Sequence, residues 1–124
     1  MFYISPDIFV KLGSPKGGLG VFAKNNIPKN TLLELSPISS CWKSTWASTP
    51  YHLKKTVFSF PQDTDNYVIG LGYTSVYNHD DNNNAHWYSF DFGIGIFSIK
   101  EILSGQEIFI NYGPNYWKNG WDKI

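Results

Sequence analysis

Short apolar alternations, broken by glycine, proline and asparagine, recur along most of the chain. Ile8-Phe9-Val10-Lys11-Leu12 predicts a first strand, stopped by the strong turn signal Gly13-Ser14-Pro15-Lys16-Gly17-Gly18. Gly20-Val21-Phe22-Ala23 resumes extended structure. Asn26-Ile27-Pro28-Lys29-Asn30 then turns the chain into a short strand, Thr31-Leu32-Leu33-Glu34-Leu35. From Ser39 to Thr56 the pattern weakens: Trp42, Trp46, Leu53 and Val57 fall partly at helical spacing, with Pro50 interrupting. That stretch reads as a loop with a short helix from about Pro50.

Beyond it, Tyr67-Val68-Ile69-Gly70-Leu71-Gly72-Tyr73 predicts a strand whose two glycines imply a close backbone approach. Ala85 to Phe90 and Ile94 to Ile99 predict a hairpin around Asp91-Phe92-Gly93, preceded by the polar loop Asp80-Asp81-Asn82-Asn83-Asn84. In the last predicted strand, Gly105 to Gly113, Ile108 and Ile110 alternate with Phe109 and Asn111, and Tyr112 stands at a glycine stop. Many short strands, little helix and no internal repeat give a mostly-β single domain over 1–124. Its core runs from about 8 to 113, and a short aromatic tail carrying Tyr116, Trp117 and Trp121 spans 114–124.

Composition narrows the functional classes. A length of 124 residues suits one domain, and 42% hydrophobic with 18% aromatic residues argues for a packed core and against disorder. No apolar run is long enough to cross a bilayer, and the N-terminus lacks the pattern of a signal peptide, so a cytoplasmic location in the producing cell is expected. Net charge is zero and all ten basic residues are lysines. Without arginine there is no bidentate fork for guanine or phosphate, so direct nucleic-acid binding is not expected. Lone Cys41 reads as a small buried hydrophobe, and Lys54-Lys55 as a solvated helix face.

His52, His79 and His86 lack metal-ligand spacing, so no metal is expected. No Gly-x-Ser-x-Gly marks a nucleophile. Asp80, Asp81 and Asp91 have nothing to fix a catalytic carboxylate pair, and the first two suit a solvated turn. Gly17-Gly18-Leu19-Gly20 lacks the final glycine and following helix of a dinucleotide fingerprint. Singly, these features are weak.

In order and at these separations, three blocks resemble the SET domain of protein-lysine methyltransferases, most closely its minimal viral and bacterial members. They are Gly18-Leu19-Gly20-Val21-Phe22-Ala23; Leu71-Gly72-Tyr73 leading to Tyr77-Asn78-His79 with Asn84 beyond; and Gly105-Gln106-Glu107-Ile108 closing on Asn111-Tyr112-Gly113. The resemblance implies a β-clip-like fold of several small curved sheets with a C-terminal pseudo-knot that brings Asn78-His79 beside Asn111-Tyr112. It implies S-adenosyl-L-methionine as cofactor, held by Lys16, Gly17, Gly18, Leu19, Gly20, Asn78 and His79, with Trp117 packing on the adenine. Tyr112 is the implied catalytic residue, and Tyr73, Trp87, Ile110 and Tyr112 line the implied lysine channel.

By the same resemblance the partner is a protein with an exposed lysine, a histone tail being the family default. A viral or bacterial effector of this kind would act in the host nucleus, and the small size with an aromatic tail suits a homodimer. The chain departs from the family pattern at Asp80, where serine is usual, and at Asn83, where proline is common. At Ile110 the family often has an aromatic that tunes the number of methyls added. Two other classes compete with the enzyme: a domain that cages lysine-bearing tails without turnover, and an aromatic-rich carbohydrate- or peptide-binding module.

Overall fold

The computed structural model describes residues 2–39, 42–43, 57–60 and 66–113. The helix expected from Pro50, together with Cys41, His52, Lys54-Lys55 and the tail carrying Trp117, lies outside the described residues. Eleven strands are described: β1 (Tyr3–Ile4), β2 (Ile8–Leu12), β3 (Leu19–Ala23), β4 (Leu32–Ser36), β5 (Trp42–Lys43), β6 (Val57–Ser59), β7 (Asn66–Ile69), β8 (Asn78–His79), β9 (Ala85–Phe90), β10 (Gly93–Ser98) and β11 (Glu107–Ile110). Among the described residues, one 3-10 turn, Tyr73–Ser75, sits between β7 and β8.

These strands form small separate sheets, and two of them position the site. In the first, of order β2-β3-β11-β8, the two extended segments expected on either side of the glycine-rich turn pair as a hairpin, Ile8 with Ala23 and Val10 with Val21. β11 runs antiparallel to β3, with Ile108 opposite Val21, and parallel to β8, with Phe109 opposite Asn78 and Ile110 opposite His79. Parallel neighbours need a crossover. Here the crossover is the β9–β10 hairpin, which belongs to the other sheet, so β11 returns to lie beside a segment far upstream.

The second sheet has the order β1-β4-β10-β9. β4 is an inner strand, and both Leu33 and Glu34 are fully buried on it. Such a position normally excludes charge, which makes Glu34 the most anomalous residue of the core. A third sheet, β5-β7-β6, completes the described strands. Val21, Leu33, Ile94, Ile96, Ile108 and Ile110, all at most 1% exposed, form the centre of one apolar cluster. Each such side chain contributes roughly 1.5–3 kcal/mol on burial, so packing between sheets outweighs any surface ion pair.

The structure departs from the expected elements at several points. The strand expected over Tyr67 to Tyr73 ends at Ile69, and Gly72 precedes the 3-10 turn, because the Tyr73 N–H turns inward to donate to Glu34 Oε2 at 2.6 Å. Both glycines do admit close neighbours: a Cβ on Gly70 would overlap the Thr74 side chain, and one on Gly72 would overlap Ser36 and Glu34. Within the stretch read as loop, Trp42–Lys43 is a strand paired with Tyr67 and Asn66. Tyr3–Ile4 pairs with Leu35 and Glu34, a strand too short for alternation to reveal.

Candidate active site

Tyr112 follows β11 directly, and two contacts fix it. Its backbone N–H donates to His79 Nδ1 at 2.9 Å, and its hydroxyl donates to the Tyr77 carbonyl at 2.9 Å. The two rings lie 5.1 Å apart. Because Nδ1 accepts, the proton of the neutral imidazole belongs on Nε2, 2.8 Å from Asp81 Oδ1. The loop after β8 also clasps β11. Asp80 N–H donates to the Ile110 carbonyl at 3.2 Å. The Asn84 amide donates to the Glu107 carbonyl at 2.9 Å and accepts the Phe109 N–H at 2.8 Å, so one side chain mimics a strand neighbour.

The glycine-rich turn is tied to the same place through Glu107. One carboxylate oxygen accepts from Ser14 Oγ at 2.7 Å, and the other accepts from Asn78 Nδ2 at 2.8 Å. Asn78 Nδ2 also reaches the Leu19 carbonyl at 2.8 Å and Ser14 Oγ at 3.2 Å. Ser14 Oγ in turn accepts the Lys16 N–H at 3.1 Å. Each glycine here has its own reason. Gly17 and Gly18 have φ of +94° and +69°, with nothing within 4 Å of where a Cβ would stand. Gly20 is different: its absent Cβ would stand 2.5 Å from Glu107 Oε2.

Lys16 bridges turn and loop from the solvent side, with Nζ 3.1 Å from Asp80 Oδ2 and 5.6 Å from the Phe109 ring centre. The Asp80 carboxyl is held below its ordinary value first by the Asn82 N–H and then by Lys16. An open groove of about 540 Å³ lies beside this bridge, lined by Pro15, Asp80, Asn84, Glu107 and Phe109 among others. Neither Tyr112 nor Asn78 lines it, so the groove flanks the tyrosine site and does not contain it.

A glycine-rich turn, an Asn-His strand and a terminal tyrosine thus meet on one threaded strand. The family model of the SET domain matches residues 18–113. The chain belongs to the SET-domain family, the family of protein-lysine methyltransferases. A curated relative, the Schizosaccharomyces pombe histone-lysine N-methyltransferase specific for H3 lysine-37, is 28% identical over 102 residues, covering 81% of this chain and 69% of that protein. Among solved structures, a Plasmodium falciparum protein described as a candidate histone methyltransferase superposes with a TM-score of 0.73. It shares 27% identity, with 92% of this chain and 99% of that one covered. An engineered Chaetomium thermophilum Polycomb Repressive Complex 2 shares the fold, at a TM-score of 0.66 and 19% identity over 87% of this chain and 15% of its own.

Within this SET domain the residues expected from sequence fall into groups. Lys16, Leu19, Gly20, Asn78, His79 and Tyr112 are joined by the contacts above. Tyr73 is half-buried against the core, and Ile110 is 1% exposed beneath the parallel pairing with His79. Trp87 is 9% exposed and meets Phe58 edge-on with ring centres 5.0 Å apart. Trp117 lies outside the described residues. Among the described residues no cluster of histidine, cysteine and carboxylate is placed to hold a metal ion.

Sequence reading missed Ser14 and the roles of Glu107 and Glu34. The signal for both acids was weak: a glutamate among apolar strand residues reads as solvent-facing, and only burial set by the sheet order requires donors to meet it.

Proposed function

We propose that this SET domain methylates the ε-amine of a protein lysine, using S-adenosyl-L-methionine, with a histone lysine as substrate. The observation that carries this reading is the double anchoring of Tyr112, by His79 at its backbone and by the Tyr77 carbonyl at its hydroxyl. The hydroxyl proton is directed to the Tyr77 carbonyl, so Tyr112 Oη would meet the incoming amine as an acceptor. It would take an N–H from the incoming amine and leave the nitrogen lone pair aimed along the line of transfer. Alignment of this kind is the main help available to an in-line displacement.

The chain's polar groups fit the cofactor. Asn78 donates only through Nδ2, so Oδ1 remains to accept from an α-amine. The open space over Gly17 and Gly18 admits a ligand close to the backbone. We assign Lys16, Gly17, Gly18, Leu19, Gly20, Asn78 and His79 to cofactor binding, with Trp117 as the cover for the adenine, and Tyr73 and Ile110 to the lysine channel. When bound, S-adenosyl-L-methionine supplies an electrophilic methyl group. The lysine must arrive neutral, which costs about 3–5 kcal/mol between pH 8 and 7 in water. A desolvated aromatic channel disfavours the ammonium and lowers that cost without a strong base.

The histone assignment is supported by the fission-yeast relative, whose name specifies a histone lysine. The test is incubation with labelled S-adenosyl-L-methionine and a histone panel. Label on a histone lysine, lost in Tyr112→Phe while cofactor binding persists, is the expected result. Turnover in that variant at the wild-type rate would sink the proposal.

A further inference from the structure

We infer that Glu34 is a positioning residue for methyl transfer, acting through Tyr77 on the Tyr112 hydroxyl. The inference rests on the methyltransferase reading above and assigns it a residue outside the glycine turn, the Asn-His strand and the terminal tyrosine. Glu34 lies on inner strand β4 with no exposure to solvent. Its Oε2 accepts from Ser36 Oγ at 2.5 Å and from the Tyr73 N–H at 2.6 Å, and its Oε1 accepts from the Tyr77 hydroxyl at 2.9 Å. A buried carboxyl is kept only where donors converge on it, and these three come from two separate segments. Gly72 makes the approach feasible, since a Cβ there would overlap Glu34 and Ser36.

Tyr77 is thereby bonded at both ends. Its hydroxyl is tied to Glu34, while its carbonyl holds the Tyr112 hydroxyl. Its ring is 2% exposed and packs in the core, so it works as a strut between β4 and the site. The Tyr73 N–H bond pins the other end of the same segment, at the entry to the 3-10 turn. Without the carboxyl, the Tyr77 hydroxyl loses its acceptor and the ring end of the strut loses its polar anchor. A displacement of about 1 Å at a reacting group lowers turnover by about a hundredfold. Loss of an ordinary core contact would lower stability and leave the chemistry alone.

The experiment compares Tyr77→Phe and Glu34→Gln with wild type in cofactor binding by calorimetry, steady-state methylation and thermal stability. Ile102→Val, a fully buried position away from this cluster, is the matched destabilised control. The expected result is a kcat lowered about ten- to a hundredfold in both variants, with KM and cofactor Kd nearly unchanged and kcat retained in the control. Adding Tyr77→Phe to Tyr112→Phe should lower the residual kcat no further.

Unchanged kcat in the two variants, an equal loss in Ile102→Val, or multiplicative losses in the double variant would each overturn the inference. Tyrosine-ring NMR separates this outcome from failure of the methyltransferase reading. If the wild type neither binds cofactor nor transfers label, that reading and the catalytic part of the strut fall together. A Tyr112 resonance unmoved by Glu34→Gln overturns the strut whatever the activity.

Discussion

His79 holds Tyr112 by its backbone: the imidazole Nδ1 accepts the Tyr112 N–H at 2.9 Å across a separation of 33 residues. The contact extends the parallel pairing of β8 and β11 beyond the strands, beside the main-chain bond from Asp80 N–H to the Ile110 carbonyl. Replacing His79 with alanine leaves a half-buried N–H without its acceptor and removes the ring packed on Tyr112. The expected cost is about 1–3 kcal/mol of stability, with a fall in turnover larger than the fall in cofactor affinity. Thermal unfolding and label transfer read the two separately. A variant with wild-type turnover would show that the tyrosine is positioned from elsewhere.

Gly20 yields a prediction that depends on which neighbour needs its space. Gly20→Ala would drive a methyl group into Glu107 Oε2 and so disturb Asn78 and Ser14 together. Cofactor affinity is expected to fall about tenfold, in line with loss of a charge-assisted bond of roughly 1.5 kcal/mol. Glu107→Asp, one methylene shorter, should recover part of that loss in the double variant. If Gly20→Ala is harmless, or Glu107→Asp makes it worse, the glycine does not serve the carboxylate.

The difference between what could and could not be read from sequence follows from locality. The β2 and β3 strands with the turn between them, and the β9–β10 hairpin, were legible because alternation and turn chemistry lie within a few residues of each other. β11 was legible as a buried strand from Ile108 and Ile110, and its functional weight came from three motif blocks read as a set. The Ser14–Glu107 bond spans 93 residues and leaves no trace in local pattern. Glu34 was hidden for a related reason: a glutamate in a short strand reads as solvent-facing until the sheet order makes its strand an inner one. The 3-10 turn at Tyr73 was misread as strand because the carboxylate that bends it is 39 residues away.

Asn84 should matter to the fold more than its polar loop suggests. Its amide makes two bonds to the β11 backbone, standing in for a strand neighbour on that edge. Asn84→Asp keeps the acceptor for Phe109 N–H but sets a carboxylate oxygen against the Glu107 carbonyl. The expected destabilisation is about 1–3 kcal/mol, similar to that of Asn84→Ala. Urea unfolding measures it. A loss well under 0.5 kcal/mol, the ordinary range for surface substitutions, would mean that the β8 pairing alone retains the strand.

The pH dependence of stability isolates Glu34. Burial pushes its carboxyl above the ordinary value of 4.5, outweighing the Ser36, Tyr77 and backbone donors that favour the ion. The folded chain therefore keeps this proton at pH values where the unfolded chain has released it. The stability linked to it is complete below about pH 4.5 and is lost as pH rises through the folded-state value. Asp80 and His86, both shifted down, act with the opposite sign and lose their contributions as pH falls. They are common to wild type and Glu34→Gln, so they cancel in the difference between the two proteins. Denaturant unfolding from about pH 4 to 8 should show wild type losing stability relative to Glu34→Gln as pH rises, because only wild type carries the titrating group. Parallel curves, or a wild type that gains relative stability with pH, would mean that the donors around the carboxyl outweigh its burial.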